Sequence, residues 1–259
     1  MDLAGFRQLS KAVLFRQAER ERTNSTVLAL GDGEVLLVDP AVEPADLALI
    51  AGSLRAAGCR VALGWSTHPH WDHVLWARAL RAAAPRYATA TSAALCAAQR
   101  AELEREIEKS SPGHELDLCG LLLAGPPGDG GWPAGVRVIC HGGHAPGHGA
   151  LLVEQEGVLV AGDMVSDIEI PSLDLASDDP VGSYEEALAL LESAAPEVAS
   201  FVPGHGAAGD GAELLRRIDL DRQYLQELRR KGEISDPRPR AEWLERHHRR
   251  QLDWCRQHL

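Results

Sequence analysis

Short apolar runs recur along the chain, separated by turns rich in Gly, Pro and Asp. Runs this short predict β-strands rather than helices. The first clear pair, Val27–Leu30 and Val35–Val38, is joined by Gly31-Asp32-Gly33-Glu34, and Asp-Gly between two apolar runs is a strong hairpin signal. The other predicted strands are Arg60–Ser66, Arg86–Thr89, Val136–Cys140, Ala150–Glu154, Val158–Ala161 and Val198–Val202.

Segments with helical spacing of apolar residues lie between many of these strands. Gly58 is placed to stop the helix that begins at Pro44. Ser92 is placed to cap the helix Ser92–Lys109. The segment Ser110–Gly135 is rich in Gly and Pro and has no clear period, so we expect a loop of the kind that contacts substrate. The predicted helices are Pro44–Ala57, Val74–Ala84, Ser92–Lys109, Ser183–Ala194, Ala212–Lys231 and Arg240–His258.

The order of these elements predicts the fold class. A hairpin comes first and is followed by strand and helix in alternation, twice over, which indicates an α/β domain with two packed sheets and helices outside. The length of 259 residues fits one large domain or a domain with an appendage. A hydrophobic content of 45% is enough for a sizeable core.

Cysteine usage and the absence of long apolar runs indicate the compartment. The five cysteines are scattered and form no CxxC pair, so a disulfide framework is not expected and a reducing, cytoplasmic location is. The N-terminal residues lack the basic and apolar regions of a signal peptide. No apolar run approaches the roughly 20 residues of a membrane span, so no membrane partner is expected.

The net charge of −12 disfavours long contacts with a nucleic acid backbone. Residues 222–259 differ from the rest, with ten Lys or Arg against six Asp or Glu. A solvated helical face and a basic interaction surface both fit this pattern. We therefore expect a small-molecule substrate, no nucleic acid partner, and a monomer or homodimer.

The run His68-Pro69-His70-Trp71-Asp72-His73 carries the clearest chemical signal. Imidazole and carboxylate suit zinc, iron and similar first-row ions. His68 and His70 are two residues apart and can point the same way from an extended segment. Asp72 and His73 lie where a helix is expected to start and can face a second position. One loop can therefore serve two metals about 3.5–4 Å apart.

Three later segments share one design, in which a strand end is followed by glycines and a metal-capable side chain. Glycines allow the backbone to approach a crowded centre, and loops at strand ends commonly carry functional residues. The segments are Gly143-His144-Ala145-Pro146-Gly147-His148-Gly149, Ala161-Gly162-Asp163 and Pro203-Gly204-His205-Gly206.

Taken in order, these motifs resemble those of the metallo-β-lactamase-fold hydrolase superfamily. The resemblance covers about residues 25–210, and Asp39, at the end of a predicted strand, matches the early acidic motif of that family. It implies a four-layer αββα sandwich as the catalytic domain over residues 1–210. Residues 211–259 would be a C-terminal helical extension packed on the same domain.

The resemblance also implies two divalent metal ions, with zinc expected and iron or manganese also suited to His and Asp ligands. Asp39 is implied to position the His-rich loop without touching metal. His141 and His144 lie near the third-ligand position, but the family pattern selects His148. The implied ligands are His68, His70 and His148 for the first metal, Asp72, His73 and His205 for the second, and Asp163 as the bridge.

One difference from the zinc β-lactamases indicates which branch of the family the chain resembles. The zinc β-lactamases of this superfamily lack the bridging aspartate, and some use a Cys ligand, whereas this chain has Asp163 and no Cys in any motif. The chain therefore looks more like the glyoxalase II, lactonase and thioesterase-type branches. The implied reaction is hydrolysis of an ester, thioester or lactone by a metal-bridging hydroxide, with Asp72 orienting the hydroxide and carrying its proton.

Several residues have two interpretations. Some lactonases of this fold place a tyrosine after the bridging aspartate, which makes Tyr184 a candidate catalytic oxyanion donor, although packing at the start of a helix also explains it. Trp71 and Trp132 are candidates for walls of the substrate pocket. Four histidines outside every motif are expected at the surface: His114, His247, His248 and His258.

Other function classes remain open from the sequence. The sulfur dioxygenases of this superfamily keep a similar motif and use a single iron, so a mononuclear iron sulfur dioxygenase is one alternative. A non-catalytic, metal-stabilised binding module is another, although the complete ligand set argues against it. A nucleic acid phosphodiesterase is disfavoured by the acidic charge.

Overall fold

The computed structural model describes residues 2–128, 130–231, 236–238 and 241–259, and these residues form two β-sheets flanked by helices. The first sheet holds its strands in chain order: β1 (Arg7–Gln8), β2 (Val13–Gln17), β3 (Asn24–Gly31), β4 (Glu34–Val38), β5 (Arg60–Trp65), β6 (Arg86–Ala88) and β7 (Leu123–Ala124). The second sheet has the order β12-β11-β10-β9-β8, from β8 (Val136–His141), β9 (His148–Val153), β10 (Val158–Gly162), β11 (Ser200–Pro203) and β12 (Gly209–Asp210).

The described residues include six α-helices, which cover the outer faces of the sheets. They are α1 (Pro44–Ala56), α2 (Ala90–Ala98), α3 (Arg100–Ser110), α4 (Pro180–Ala194), α5 (Gly211–Arg229) and α6 (Glu242–His258). Apolar residues of both sheets, such as Leu36 and Leu151, meet in an inner core. Two outer cores join α1 and α3 to the first sheet and α4, α5 and α6 to the second. The predicted four-layer αββα sandwich with a C-terminal helix is confirmed.

Parallel strand pairs bring the motif-bearing loops to one edge of each sheet. β4 and β5 run parallel, with Val38 opposite Trp65, so Asp39 and the His-rich run leave the first sheet together. β10 and β11 also run parallel, with Gly162 opposite Pro203. The loops after these two strands therefore start side by side in the second sheet.

The predicted helix over Val74–Ala84 is wrong. Val74, Leu75 and Trp76 are all buried in succession, which no single helical face allows. The amide of Gly120 donates a hydrogen bond to the carbonyl of Val74, so this backbone is held by a distant segment. Only a 3-10 turn, Arg78–Leu80, forms there.

The predicted long helix Ser92–Lys109 is instead two helices that meet at Gln99. The first begins earlier than expected, because the Thr89 side chain accepts a hydrogen bond from the amide of Ser92 and caps it. β1 and β2 were not expected from the apolar pattern. The predicted start of the last helix at Arg240 lies outside the described residues.

None of the helices in the described part of the chain combines the length and apolarity needed to cross a membrane. The division into residues 1–210 and 211–259 stays a prediction. Within the described residues, Ile218 of α5 and Leu244 of α6 share a core with Leu159 of β10, so both helices pack directly on the second sheet.

Candidate metal centre

The His-rich run leaves β5 at the edge where the ends of β4, β10 and β11 also meet. It passes through a short 3-10 helix, Trp71–His73. His68 and His73 are fully buried, whereas His70 is exposed. The run therefore begins and ends in the interior and reaches solvent in the middle.

Two groups of potential metal-ligating side chains lie at this edge. In each group, one ligand atom from every residue lies within 4.8 Å of the others. The first, which we call the His68 group, consists of His68, His70, His144 and Asp163; the second, the His73 group, consists of Asp72, His73 and His205.

The Asp163 carboxylate contacts both groups. Its Oδ2 lies 3.5 Å from His68 Nε2 and 3.4 Å from His144 Nε2. Its Oδ1 lies 3.1 Å from His73 Nε2, and its Oδ2 is 3.4 Å from His205 Nε2. This is where a bridging ligand would lie, although the role stays a prediction.

Gly204 permits this close approach. A Cβ at this position would stand 1.9 Å from Asp163 Oδ1 and 3.0 Å from the ring of His73. Any larger residue would therefore push the end of β11 away from the carboxylate. The glycine of the Pro-Gly-His motif is explained by this contact.

Hydrogen bonds behind the His-rich run fix the orientation of two imidazoles. Asp39 accepts bonds from the amide of Thr67 at 2.9 Å and from its hydroxyl at 2.7 Å. Thr67 Oγ1 lies 3.0 Å from His68 Nδ1, and Asp39 Oδ2 lies 2.9 Å from His73 Nδ1. Both rings therefore donate from Nδ1 and direct Nε2 toward the centre. Asp39 lies behind the centre, as expected.

Backbone carbonyls play the same part for two further histidines. His205 Nδ1 lies 3.0 Å from the carbonyl of Glu21, and His144 Nδ1 lies 3.1 Å from the carbonyl of Ser172. His70 is different, because its Nδ1 faces His144 Nε2 at 2.9 Å. Four imidazoles thus present Nε2 to the centre, and His70 presents Nδ1.

Burial keeps the imidazoles of the His68 group neutral. It lowers the pKa of His68 well below the ordinary value, with a smaller contribution from the charge of His73. Burial, reinforced by His70, lowers the pKa of His144 to about 3. A neutral imidazole has the free lone pair that a metal requires.

The His73 group concentrates negative charge. Burial alone would lower the pKa of His73, but Asp163, Asp72 and Asp39 outweigh it and raise that pKa well above the ordinary value. Burial and the same Asp163 carboxylate act in opposition on His205, whose pKa is also raised. These buried carboxylates call for compensating positive charge, and a divalent cation supplies it while displacing the protons of the two rings.

The residues present fit a metal in two further respects. His68 Nε2 is buried and has no hydrogen-bond partner among the described residues, which is costly for a polar atom unless a ligand occupies it. The donor set of imidazole and carboxylate, without thiolate, suits zinc, iron or manganese.

The structure brings both histidines of the Gly-His-Ala-Pro-Gly-His turn close to the centre. His144 belongs to the His68 group, whereas His148 does not. The His148 ring stacks on that of His68 with the centroids 5.1 Å apart, and neither of its nitrogens has a hydrogen-bond partner among the described residues. A Cβ on Gly162 would stand 2.3 Å from His148 Nε2, so this atom lies beside the residue that precedes Asp163. His148 therefore stays the predicted ligand, and the geometry adds His144 as a second candidate.

Tyr184 is packed among the apolar residues of the second sheet and α4. Its side chain is 1% exposed within the core around α4, and its hydroxyl is 3.5 Å from Asp221 Oδ2. Burial and the charge of Asp221 raise its pKa well above the ordinary value. The placement agrees with the packing interpretation, and a catalytic role for Tyr184 stays a prediction.

The structure places the two candidate tryptophans in different cavities and buries one of the histidines expected at the surface. Trp71 lines a cavity that also contains His70, whereas Trp132 packs against Trp65 at 5.0 Å and lines a different cavity. His114 was expected at the surface but is 9% exposed, because it bonds Ser111 at 3.1 Å.

Two features near the centre gave no clear signal in the sequence. Glu169 Oε1 lies 3.9 Å from His205 Nδ1, and burial raises its pKa to about 7. Gln251 of α6 is fully buried and bonds both neighbours of Ser172: it accepts from the amide of Leu173 at 2.6 Å and donates to the carbonyl of Pro171 at 3.0 Å. The position of Gln251 one residue before Leu252 on this largely charged helix was a weak hint that it faces the core.

Comparison with known proteins agrees with this geometry. The family model described as the metallo-beta-lactamase superfamily matches residues 18–205, a span that contains both groups. A comparison with curated proteins found no match.

Solved structures show the same fold. A metallo-beta-lactamase family protein from Thermus thermophilus is 22% identical, with a TM-score of 0.67 over 97% of this chain and 93% of that chain. A beta-lactamase domain protein from Burkholderia ambifaria is 20% identical, with a TM-score of 0.66 over 89% of this chain and 77% of that chain. The DIM-1 metallo-beta-lactamase is 17% identical, with a TM-score of 0.59 over 85% of this chain and 99% of that chain.

Proposed function

The chain belongs to the metallo-beta-lactamase superfamily, and we propose that it is a binuclear metallohydrolase that cleaves an ester, thioester or lactone bond of a small molecule. The observation that carries this proposal is the Asp163 carboxylate, whose oxygens contact imidazoles of both ligand groups. A carboxylate shared in this way suits two metals held close together.

The same observation supports the glyoxalase II, lactonase and thioesterase-like branch. Those relatives were distinguished from the zinc β-lactamases by the bridging aspartate and the lack of a Cys ligand. Both candidate groups in this chain consist of His and Asp alone.

When bound, the metals would supply an acidified water as nucleophile and a Lewis acid for the carbonyl oxygen. The protein holds the geometry around them. Thr67 and Asp39 lock the rings of His68 and His73, so that neither ring spends time in a nonproductive orientation. Asp72 Oδ2 lies 3.1 Å from His205 Nε2, and this carboxylate would orient the nucleophile and take its proton.

We further propose zinc as the metal, a monomer or homodimer as the assembly, and the cytoplasm as the location. The His and Asp donors support zinc, and the scattered cysteines, all of them free, support a reducing compartment. The net charge of −12 supports a small-molecule substrate rather than a nucleic acid. Light scattering on the purified chain tests the assembly.

The deciding experiment measures metal content and hydrolysis on the same preparation. We expect about two zinc ions per chain and turnover of at least one member of an ester, thioester and lactone panel. Asp163→Ala should lower metal content and activity together, whereas Asp178→Ala, an exposed carboxylate outside both groups, should lower neither.

Three results would contradict the proposal. A fully loaded and active Asp163→Ala variant would remove this residue from the centre. About one iron per chain, no zinc and oxygen uptake with a persulfide would favour the sulfur dioxygenase. No metal binding and no activity after reloading would favour a binding module.

A further inference from the structure

A cavity of about 250 Å³ lies beside the His68 group, between the His-rich run and helices α2 and α3. Pro69, His70 and Trp71 form one wall, and residues of the two helices form the other. His70 belongs both to this α2–α3 cavity and to the His68 group. A molecule that fills the cavity therefore also contacts a candidate metal ligand.

Part of the lining of the α2–α3 cavity is apolar. Leu95 and Cys96 of α2 and Leu103 of α3 line it together with Trp71. Burial raises the pKa of Cys96 to about 11, so its thiol stays neutral and behaves as a small apolar group. The ring of Trp71 packs behind the wall against the small buried cluster that contains Val42. This surface offers a substrate dispersion and hydrophobic contact rather than hydrogen bonds.

The charged side chains of the lining are acidic. Glu102 and Glu106 of α3 contribute carboxylates and Gln99 an amide, and none of the described residues that line the cavity is Lys or Arg. Lys109 pairs with Glu106 at 3.7 Å from outside the cavity. An anionic group placed here would meet like charge and no Lys or Arg among the described lining residues.

The cation that lies over the ring of Trp71, Arg20, is already paired. The guanidinium of Arg20 lies 5.5 Å from the ring of Trp71. It is held by Glu43 at 2.5 Å and by Glu21 at 3.4 Å. Its charge is therefore balanced by two carboxylates and is not available to a substrate anion.

We propose that the α2–α3 cavity binds the apolar end of the substrate, uncharged or cationic, and that it selects against substrates whose end bears a carboxylate or phosphate. This inference rests on the proposed hydrolase function. Since a water molecule's share of liquid volume is about 30 Å³, the cavity holds a group of about eight non-hydrogen atoms. Up to that size, each added methylene should raise kcat/KM about fourfold.

The test uses the zinc-loaded full chain and three nitrophenyl esters of matched length: a hexanoate, its ω-ammonium analogue and its ω-carboxylate analogue. We expect kcat/KM for the first two to exceed that for the carboxylate by about tenfold or more. Equal or faster cleavage of the carboxylate ester would overturn the proposal.

A charge change at the rim sharpens the test. Glu102 is exposed on α3, so Glu102→Lys should fold normally and should shift the ammonium-to-carboxylate ratio about tenfold toward the carboxylate. Glu102→Gln should shift the ratio less, in the same direction. Glu108→Lys, an equal charge change on the same helix outside the cavity lining, should leave it unchanged. Equal shifts at the two positions would show a general field effect and overturn the proposal.

A binding arm separates failure of this inference from failure of the proposed function. If no ester is cleaved, hexanol, hexylammonium and hexanesulfonate are compared by saturation-transfer NMR on the same zinc-loaded chain. Transfer to the first two and not to the sulfonate, with Glu102→Lys reversing the preference, would support the cavity without hydrolysis. Equal transfer to all three would overturn it.

Discussion

Replacing Asp39 with Asn tests the idea that this residue sets the tautomer of His73. Asp39 is 2% exposed and accepts hydrogen bonds from the Thr67 amide, the Thr67 hydroxyl and His73 Nδ1, at 2.9, 2.7 and 2.9 Å. Asn keeps the size and tolerates the positive φ of 46° at this position. It replaces one accepting oxygen with a donating amide.

The expected consequence is loss of a lone pair at the centre. An amide at the position of Asp39 Oδ2 cannot accept from His73 Nδ1, so the His73 proton moves to Nε2, the atom that faces Asp72 and Asp163. Loss of such an orienting partner costs about 10–100-fold in metal affinity, which is about 1.4–2.7 kcal/mol. Mispairing of the buried donors lowers the free energy of unfolding of the metal-free chain by about 1–3 kcal/mol.

Competitive titration with a chromophoric chelator measures the affinity of each site, and denaturant unfolding of the metal-free chain measures stability. Asp32→Asn is the matched control, because Asp32 also has a positive φ, of 50°, and lies in an exposed turn far from the centre. We expect the control to match the wild type in both measurements.

The reasoning is refuted if Asp39→Asn binds two metals as tightly as the control does. A variant that loses stability but keeps its metal affinity would assign Asp39 a purely structural part.

Further outcomes follow from the same geometry. Both nitrogens of His148 are buried without a hydrogen-bond partner among the described residues. His148→Ala should therefore lose about one metal per chain in elemental analysis, whereas His144→Ala should keep both. The reverse result would assign the third imidazole to His144. Gln251→Ala frees the segment whose Ser172 carbonyl orients His144 beside Asp163. Metal affinity should therefore fall about tenfold, and the visible spectrum of the cobalt-substituted chain should change. An unchanged spectrum would limit Gln251 to packing. Burial lowers the pKa of His141 to about 4, so its neutral ring contributes stability above pH 6.5 that is lost as the pH falls toward 4. In His141→Gln the metal-free chain should lose less unfolding free energy between pH 7 and pH 5, as measured by urea titration, and an equal loss would contradict this assignment.

The donor side chains of the centre can largely be identified from short stretches of sequence. The spacing from His68 to His73 confines the donors to one short loop, and the apolar runs before Asp163 and His205 predict that each follows a strand. That these residues meet was expected from the family resemblance, and the parallel strand pairs that carry them to one edge are seen only in the structure. The alternating strands and helices likewise predicted the layered fold.

Contacts between segments distant in the chain account for the features that the pattern of apolar residues did not predict. The segment after His73 carries helical spacing, yet burial of Val74, Leu75 and Trp76 together prevents a helix there. Propensity is a weak preference per residue, and tertiary contacts outweigh it. Similarly, the charged face of α3 gave no sign that Glu102 would border a cavity beside the centre.

The sequence by itself therefore determined which side-chain types follow which strand ends, because that depends on spacing along one strand and its loop. Only the tertiary structure decided how each imidazole is held. His144 and His148 are four residues apart in one turn, and spacing alone treats them alike. Burial of β9 along its whole length leaves the His148 ring stacked on His68, with no hydrogen-bond partner among the described residues. The Ser172 carbonyl, whose two neighbouring residues are bonded by Gln251 of α6, turns His144 toward Asp163. Contacts between residues so far apart in the chain exist only once the layers have packed.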